Sequence, residues 1–411
     1  MTLILGSGIS GLTAGKFLKH SFKILEKTRV SGGLSTQYRS GDFLFDYGGH
    51  YFHFKDKSNI KTYVKNFSSF KEYSRDSRIS LFNKFIPFPV QFHLSYFPKK
   101  ISEHILEEIL NRDEKKTGDL KDFLLKNFGQ TLCGYFFFPF LSKYYRRDLS
   151  EIIPLKDKGS IPVPKNSDVI AGYRGKRFKD TGYNPLFYYP EKSLKNFMDN
   201  YEKSVKDNIL FSEEVKRIDV DNRKVFTEKG VFDFNNLINT LPLKQFVSMI
   251  DGWEKRFPEA ADLEYISTAV VNVVLKRRRK RFHWLYIPQA EIPFYRAGYY
   301  PGGKHPVCYL EMSLKPGETP DMNTISFEAN KTLVELGLIK NRDEVIYMDI
   351  KIIPVSYIIF NRSWENDVSS LIEKLRDFNV ETTGRFGKWD YSSMSDDILS
   401  AKKIAEKINE K

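Results

Sequence analysis

A glycine-rich turn near the start of the chain has the spacing of a phosphate-binding loop. Gly6, Gly8 and Gly11 lie between residues 2–6, which predict a short buried strand, and residues 9–19, whose apolar spacing predicts a helix. In this setting the first glycine permits a tight turn, the second lets the backbone approach a pyrophosphate, and the third allows close packing of the helix on the strand. Free N–H groups at the helix N-terminus favour an anion.

An acidic residue ends the second predicted strand, and a pair of glycines follows it. Residues 22–26 form this strand, and the carboxylate of Glu26 can accept hydrogen bonds from a ribose diol. The Gly32-Gly33-Leu34 turn that comes next looks like the extended FAD signature, not the NAD one. We therefore predict that a Rossmann-type βαβ unit beginning at residue 2 binds FAD non-covalently.

Two further glycine segments fit the same cofactor. Residues 43–47 predict a strand that leads into Gly48-Gly49-His50, where backbone without side chains can approach a flat ring system. Near the other end of the chain, Gly384 and Arg385 precede a predicted helix, and the guanidinium can donate a fork of hydrogen bonds to flavin carbonyls or phosphate. The nucleotide site is therefore predicted to be assembled from both ends of the chain.

Several segments resemble the UDP-galactopyranose mutases, most closely their eukaryotic-type branch. The segments are Asp46–His50, Phe85–Gln91, Pro293–Arg296, Tyr309–Ser313 and Gly384–Met394. The wider superfamily, which includes protoporphyrinogen oxidases and amine oxidases, shares the two ends of the chain, whereas the middle segments favour the mutase branch.

The resemblance implies a set of site residues. Catalytic roles fall to His50 and Arg296. The implied FAD-binding residues are Gly6, Gly8, Ser10, Gly11, Glu26, Lys27, Gly32, Gly33, Leu34, Gly48, Gly49, His50, Val215, Gly384, Arg385, Tyr391 and Met394. The implied substrate-binding residues are Lys143, Tyr144, Tyr145, Lys192, Tyr295, Arg296 and Tyr357.

Arg296 also stands out without the resemblance. It lies in a predicted strand among aromatic and small residues, and a guanidinium in such surroundings needs an acidic partner. That partner is either a substrate diphosphate, which we favour, or a nearby carboxylate.

The chain departs from the mutase pattern at two places. The segment Pro139–Tyr145 lacks the tryptophan of the mutases, although Tyr144 and Tyr145 are candidates to stack on a uracil ring. The turn that carries a second diphosphate arginine in the mutases has Lys192 here, which supplies charge without bidentate geometry. These departures leave the nucleotide and the sugar open.

The expected activity is that of an FAD-dependent mutase-like isomerase. It would interconvert pyranose and furanose forms of a nucleotide-diphosphate sugar through N5 of reduced flavin, with NAD(P)H as a candidate reductant. One alternative is a net oxidoreductase of the amine oxidase or protoporphyrinogen oxidase type. Another is a flavin-binding protein with a degraded site that serves assembly or regulation.

The composition of the chain limits which classes of protein and which kinds of site are expected. The 411 residues are 41% hydrophobic and 28% charged, as in a globular protein of two or three domains, and contain no apolar run long enough for a membrane span. No signal peptide is expected, and two cysteines and scattered histidines predict neither disulfides nor a metal site, which fits the cytoplasm. The net charge is +13, with a basic block at Lys276–Arg281 that predicts a strand end or hairpin tip. No nucleic-acid motif accompanies it, while loose association with an anionic membrane surface or a partner stays open.

The predicted fold class is α/β, with a Rossmann-type FAD-binding domain, a mixed-sheet substrate domain and a helical insertion. The FAD-binding domain is predicted at residues 1–80, 201–245 and 361–411, the helical and substrate-binding insertion at 81–200, and the mixed sheet at 246–360. Helices are predicted at 101–128, 325–337, 364–377 and 394–408. Strands are predicted at 266–275, within 208–240 around turns at Asp221-Asn222 and Lys229-Gly230, and within 282–314 around a Pro301-Gly302-Gly303 turn.

Overall fold

The chain forms two compact units, each assembled from separate stretches of sequence. The computed structural model describes residues 1–54, 57–112, 118–155, 161–178 and 185–410. The first unit comprises Met1–Tyr73, Phe187–Glu264 and Ser363–Lys411, and the second comprises Ser74–Leu186 and Tyr265–Arg362. The first unit therefore uses both ends of the chain, as predicted from the glycine motifs.

A five-stranded parallel sheet is the centre of the first unit. Its strands lie in the order Val380–Thr382, Asn236–Asn239, Thr2–Leu5, Phe22–Glu26 and Ile209–Phe211, so the N-terminal strand is the middle one. The strands and helices that belong wholly or mainly to this unit are β1 (Thr2–Leu5), α1 (Ile9–Phe17), β2 (Phe22–Glu26), β3 (Gln37–Ser40), β4 (Phe43–Asp46), α2 (Ser58–Val64), β5 (Phe70–Ser74), β8 (Leu186–Pro190), α7 (Leu194–Glu202), β9 (Ile209–Phe211), β10 (Val215–Asp219), β11 (Lys224–Thr227), β12 (Val231–Asp233), β13 (Asn236–Asn239), α8 (Leu243–Ser248), α9 (Trp253–Arg256), α11 (Trp364–Asp377), β19 (Val380–Thr382) and α12 (Met394–Asn409).

Capping residues explain where the long C-terminal helix begins. Ser393 accepts a hydrogen bond from the backbone N–H of Asp396, and the Asp396 carboxylate accepts one from the backbone of Ser393, which is a capping box. The helix α12 packs against α1, the helix of the glycine-rich turn. The first and last helices of the chain are thus part of one core.

A seven-stranded mixed sheet is the centre of the second unit. Its strands lie in the order Val345–Ile359, Glu264–Leu275, Val307–Leu314, Arg296–Tyr299, Trp284–Tyr286, Ser77–Leu81 and Lys84–Pro87, and the strands Trp284–Tyr286 and Ser77–Leu81 are parallel. The strands and helices that belong wholly or mainly to this unit are β6 (Ser77–Leu81), β7 (Lys84–Pro87), α3 (Lys99–Leu110), α4 (Leu120–Leu132), α5 (Phe138–Tyr145), α6 (Asn166–Tyr173), β14 (Glu264–Leu275), β15 (Trp284–Tyr286), β16 (Arg296–Tyr299), β17 (Val307–Leu314), α10 (Met322–Glu335) and β18 (Val345–Ile359).

The helical insertion differs from its prediction in one respect. The stretch predicted as helical over 101–128 consists of two helices, because α3 ends at Leu110 and α4 begins at Leu120. Asp119 makes the second start possible, since its side chain accepts a hydrogen bond from the N–H of Asp122. The aromatic run that follows α4 continues as one turn of π-helix, Cys133–Phe137, before α5. Phe136 and Phe137 are buried there.

The other strand and helix predictions are confirmed within a few residues. The predicted turns at 221–222 and 229–230 separate β10, β11 and β12, and positive φ angles at Gly302 and Gly303 mark the turn between β16 and β17. Among the described residues, no helix combines the length and the apolar character needed to cross a membrane.

A buried carboxyl group joins the β3–β4 hairpin to β8. Asp46 accepts hydrogen bonds from the hydroxyl of Tyr189, at 3.0 and 2.9 Å, and from Nε2 of Gln37 at 2.7 Å. Its side chain lies in the core, and burial raises the pKa of Asp46 to about 7, against the opposing effect of these two hydrogen bonds. Burial and the neighbouring Asp46 carboxyl also raise the pKa of Tyr189, so the hydroxyl remains a donor.

We expect Asp46→Asn to flatten the pH dependence of stability between about pH 4 and 7. A folded-state pKa of about 7 means that the folded chain keeps a proton which the unfolded chain loses near pH 4. The free energy of unfolding contributed by Asp46 therefore falls as the pH rises through this window, by up to about 4 kcal/mol. Asparagine keeps the shape and does not titrate.

Urea unfolding of parent and variant at several pH values measures this difference. Asp397, a second buried carboxyl group whose pKa is raised to about 6 by burial, is present in both proteins. The difference between the two curves therefore isolates Asp46. Superimposable curves would show that Asp46 is ionised in the folded state throughout this range.

Candidate functional site

In the glycine-rich turn, the backbone is accessible at Gly8 and tightly packed at Gly11. A Cβ atom added to Gly11 would lie 1.9 Å from the carbonyl oxygen of Gly6, so only glycine allows α1 to cross β1 this closely. A Cβ atom on Gly8 would meet no atom within 4 Å. Gly8 also precedes α1 without a side chain to cap it. The first N–H groups of α1 are therefore available to an anionic ligand.

Glu26 is held in one orientation at the end of β2. Its Oε2 accepts hydrogen bonds from the backbone N–H and the hydroxyl of Ser7, at 2.9 and 2.7 Å. Its Oε1 accepts from the backbone N–H and the hydroxyl of Thr28, at 2.9 and 2.8 Å. These four contacts use the roughly four acceptor sites of the carboxylate, so a ribose hydroxyl would have to replace the hydroxyl of Ser7 or Thr28 while the two backbone N–H groups keep Glu26 oriented. Sequence reasoning missed Ser7 and Thr28, although both flank the motif that pointed to Glu26.

The neighbouring strand brings another predicted residue to this edge. The backbone N–H of Glu213 donates to the carbonyl oxygen of Glu26 at 2.9 Å, which brings the start of β10 at Val215 near the end of β2. Val215 is half-buried, whereas Lys27 is exposed.

The second glycine pair packs directly beside the first turn. Gly8 and Gly32 form a parallel bridge, and a Cβ atom on Gly33 would lie 3.4 Å from the Cα atom of Gly8. Gly32 has a φ of +108°, which favours glycine. Leu34 follows in a short 3-10 helix. The predicted pyrophosphate turn and the predicted FAD turn therefore form one surface.

The C-terminal motif meets the same helix. A Cβ atom on Gly384 would lie 2.5 Å from Oγ of Ser10, and the backbone N–H of Thr383 donates to the carbonyl oxygen of Asn239 at 3.0 Å. The Arg385 guanidinium lies 4.6 Å from the ring centre of Tyr391. Met394 is the first residue of α12 and is buried. The structure thus brings the predicted residues from both chain ends together around α1.

The third glycine segment follows Asp46 in the same unit. Gly48 has a φ of +129°, and its carbonyl oxygen accepts a hydrogen bond from the N–H of His50 at 2.8 Å. Gly49 and His50 are half-buried. Because Asp46 is fixed by two side chains, the start of this loop is anchored in the core.

In the second unit, Arg296 pairs with a carboxylate on the next strand. The antiparallel register of β16 and β17 sets it opposite Glu311. Nε donates to Glu311 Oε2 at 2.6 Å, and Nη2 donates to the hydroxyl of Tyr357 at 2.8 Å. Of the two partners considered from the sequence, the structure supplies the carboxylate. The structure therefore supports the nearby carboxylate, and not the favoured diphosphate, as the acidic partner that the surroundings of Arg296 require.

The pair is shielded but keeps one open side. The Arg296 side chain is 17% exposed and that of Glu311 is 3% exposed. Burial lowers the pKa of Arg296, but Glu311 and the neighbouring tyrosine side chains together raise it by more, so the guanidinium stays charged. Nη1 carries two further N–H groups, for which the described residues provide no acceptor. Nη1 is therefore the part of Arg296 that an anion can use.

Tyrosine rings border this guanidinium. The ring centre of Tyr144 lies 5.2 Å from that of Tyr295 and 4.8 Å from that of Tyr357. Tyr145 lies 4.7 Å from Tyr144 on the same helix. Burial, followed by the charge of Glu311, raises the pKa of Tyr295 well above its ordinary value, so its phenol stays neutral. Four predicted substrate residues are thus gathered with Arg296.

Two predicted substrate residues are placed differently. The Lys143 ammonium is bound to backbone carbonyl groups of the loop before Arg296. Lys192 belongs to the first unit, where it is exposed in the turn between β8 and α7.

The basic block lies at a strand end, as one of its two interpretations predicted. β14 ends at Leu275, and the guanidinium groups of Arg277 and Arg279 both pair with Glu344. Arg278 lies over the ring of Tyr299, 4.3 Å from its centre. Much of the charge of this block is therefore engaged within the unit.

Comparison with known proteins extends the description of the fold. A family model described as an NAD(P)-binding Rossmann-like domain matches residues 4–67, the region of the first two glycine turns. A crystal structure of reduced UDP-galactopyranose mutase matches with a TM-score of 0.90 at 19% identity, over 99% of this chain and 93% of that chain.

Other solved structures match over almost the same extent. A putative protoporphyrinogen oxidase from Exiguobacterium sp. 255-15 has a TM-score of 0.76 at 16% identity, over 99% of this chain and 98% of that one. A CLA-producing fatty acid isomerase from P. acnes has a TM-score of 0.65 at 10% identity, over 99% and 98%. The chain therefore has the Rossmann-containing α/β fold that these mutase and oxidase structures share.

Proposed function

We propose that this chain is an FAD-dependent, mutase-like isomerase that interconverts the pyranose and furanose forms of a nucleotide-diphosphate sugar. The observation that carries the proposal is the Arg296 cluster, a guanidinium with Nη1 open and tyrosine rings around it. It occurs in a chain whose fold matches reduced UDP-galactopyranose mutase over 99% of its length.

The first unit has features that fit FAD. The uncapped start of α1 and the open space at Gly8 suit a pyrophosphate, and the fixed Glu26 carboxylate suits a ribose diol. We assign the flavin ring to the backbone of Gly48, Gly49 and His50, with Arg385 at its polar edge. The remaining assigned contacts are those of Ser10, Gly11, Lys27, Gly32, Gly33, Leu34, Val215, Gly384, Tyr391 and Met394.

Bound, reduced FAD would supply a nucleophile at N5 that is restored in each turnover, so the reaction needs no net oxidant. Arg296 would donate from Nη1 to the diphosphate as negative charge develops on the leaving group. Glu311 and Tyr357 orient the guanidinium before the substrate arrives, which removes the cost of ordering it. Tyr144 and Tyr145 are proposed to face the nucleobase.

The glycine turn provides a test of FAD binding. We expect the purified protein to be yellow and to release intact FAD on acid denaturation. Gly8→Ala should lower FAD affinity about tenfold or more, because a methyl group would occupy the open face where the pyrophosphate approaches. It should leave the stability of the FAD-free protein unchanged, since the φ of Gly8 is −67° and no atom lies within 4 Å of the added Cβ.

Gly11→Ala is the matched control. The same added methyl group would collide with the carbonyl oxygen of Gly6, so both the melting temperature and FAD content should fall. Flavin content is measured by absorbance after denaturation, and stability by thermal unfolding of stripped protein. A colourless protein that cannot be reconstituted, a covalently attached flavin, or full FAD affinity in Gly8→Ala would each contradict this site.

The reaction itself is tested with a panel of nucleotide sugars. We expect isomerisation only after anaerobic reduction of the flavin, by dithionite or by NAD(P)H, with far less than one equivalent of reductant consumed per turnover. Product isomers are separated by chromatography while flavin absorbance reports its redox state. Stoichiometric peroxide release with an amine or porphyrinogen substrate would instead establish a net oxidoreductase.

Arg296 should affect nucleotide binding and not FAD. Arg296→Ala is expected to cost about 2–5 kcal/mol in UDP affinity, because a desolvated charge contact is lost, whereas an exposed arginine would cost about 0–1 kcal/mol. Arg385→Ala should do the opposite and lower FAD retention first. Titration with UDP and UDP-sugars, with flavin occupancy measured in parallel, separates the two effects.

A paired substitution guards against a purely structural effect. Arg296→Ala alone leaves Glu311 buried without a partner, which is itself destabilising. The double variant Arg296→Leu, Glu311→Leu removes both charges and should recover most of the stability without recovering UDP affinity. Nucleotide binding that returns with stability would mean that Arg296 only supports the fold.

A further inference from the structure

The side chain of Lys143 ends among backbone carbonyl groups. Its Nζ lies 2.9 Å from the carbonyl oxygen of Ile287, 2.6 Å from that of Gln289, 2.7 Å from that of Ile292 and 3.3 Å from that of Phe294. An ammonium group has three N–H donors, and these four acceptors account for all of them. Lys143 therefore has no donor left for a ligand.

All four carbonyl groups belong to one short loop. It connects β15, which ends at Tyr286, to β16, which begins at Arg296. Four carbonyl oxygens that face one point repel each other electrostatically. Because the loop directs them inward, water cannot solvate all four together. A cation at their centre compensates for this, and Glu291 of the same loop also favours the charged form of Lys143 through its Coulombic attraction.

The same lysine connects this loop to the helix of the aromatic residues. Lys143 lies on α5, next to Tyr144, whose carbonyl oxygen accepts a hydrogen bond from Ser313 Oγ at 2.7 Å. At the other end of the loop, the N–H of Tyr295 donates to the carbonyl oxygen of Glu311 at 2.9 Å. The loop is thus held to β17 at its end and to α5 through Lys143.

We propose that Lys143 is a positioning residue, whose ammonium is an internal cation around which residues 287–294 fold. By fixing this loop against α5, it sets where Tyr295 and Arg296 lie relative to Tyr144. This role differs from the ligand contact that the family resemblance implies for Lys143. The loop-folding part stands on the contacts alone, and the consequence for nucleotide affinity rests on the proposed function.

Chemical rescue tests the internal cation directly. In Lys143→Ala, hydrogen exchange measured by mass spectrometry should become about tenfold faster in peptides that cover 287–296 and change little in the five-stranded sheet of the first unit. Added n-propylammonium, which replaces the missing side-chain atoms and charge, should restore protection in these peptides. n-Propanol at the same concentration should not, because it brings the shape without the charge.

A second lysine variant and a second readout complete the design. Lys121→Ala removes an exposed lysine from the preceding helix α4 and should leave exchange in 287–296 unchanged. Lys143→Met keeps the length without the charge and should behave like unrescued Lys143→Ala, which provides a test if the alanine variant does not fold. UDP affinity should fall in Lys143→Ala and return with n-propylammonium, while FAD content stays constant.

Unchanged exchange in 287–296 in both Lys143 variants would overturn the proposal. So would protection that is lost evenly over the whole chain, or protection that n-propanol restores as well as the ammonium does. A loss of UDP affinity with normal exchange in the loop would instead make Lys143 a ligand residue. If the parent protein binds no UDP, the proposed function fails, while the exchange and rescue results still decide the role of the internal cation.

Discussion

The close approach of α1 to β1 is the constraint on which the first unit depends. It exists because Gly11 has no side chain where one would collide with the carbonyl oxygen of Gly6. This approach directs the N-terminus of α1 towards the open face at Gly8, beside the Gly32-Gly33 turn. The helix α12 packs on α1, and Gly384, whose own lack of a side chain leaves room for Oγ of Ser10, lies against the same helix. The missing side chain of Gly11 therefore sets the position of a helix against which segments distant in sequence pack.

Charge compensation has a similar role in the second unit. Arg296 is held by Glu311 and Tyr357, Arg277 and Arg279 share Glu344, and Lys143 is bound by carbonyl groups. A desolvated cation is costly unless it is paired, which explains the fixed partners of Arg296 and Lys143, whereas Arg277 is 65% exposed and pairs with Glu344 at the surface. The partners hold the side chains in position, and at Arg296 only Nη1 is left to meet a ligand.

Much of the first unit could be predicted because its signals are local. The glycine spacing, the strand before it and Glu26 all lie within about one βαβ unit, and each has a direct physical reason. The partner of Arg296 was harder to predict from the sequence, because the register of two strands determines that Glu311 lies opposite Arg296. The predicted Pro301-Gly302-Gly303 turn was a usable signal, because a hairpin around it sets 296 opposite 311. The Lys143 contacts could not be predicted from the sequence. Its partners are backbone carbonyl groups, which every residue type has, so no particular residue indicates them.

The pairing of Arg296 with Glu311 limits how a ligand can be recognised there. Together the two side chains carry no net charge, so long-range attraction of a diphosphate by this pair is weak. What remains is a short-range contact from Nη1, whose direction is fixed by Glu311 and Tyr357. Discrimination between ligands at Arg296 would come from the geometry of their hydrogen bonds to Nη1 and from stacking on Tyr144. Both depend on the position of the 287–294 loop. The internal cation at Lys143 and the ion pair at Arg296 are thus two parts of one arrangement, in which charge is used to hold backbone and side chains in place.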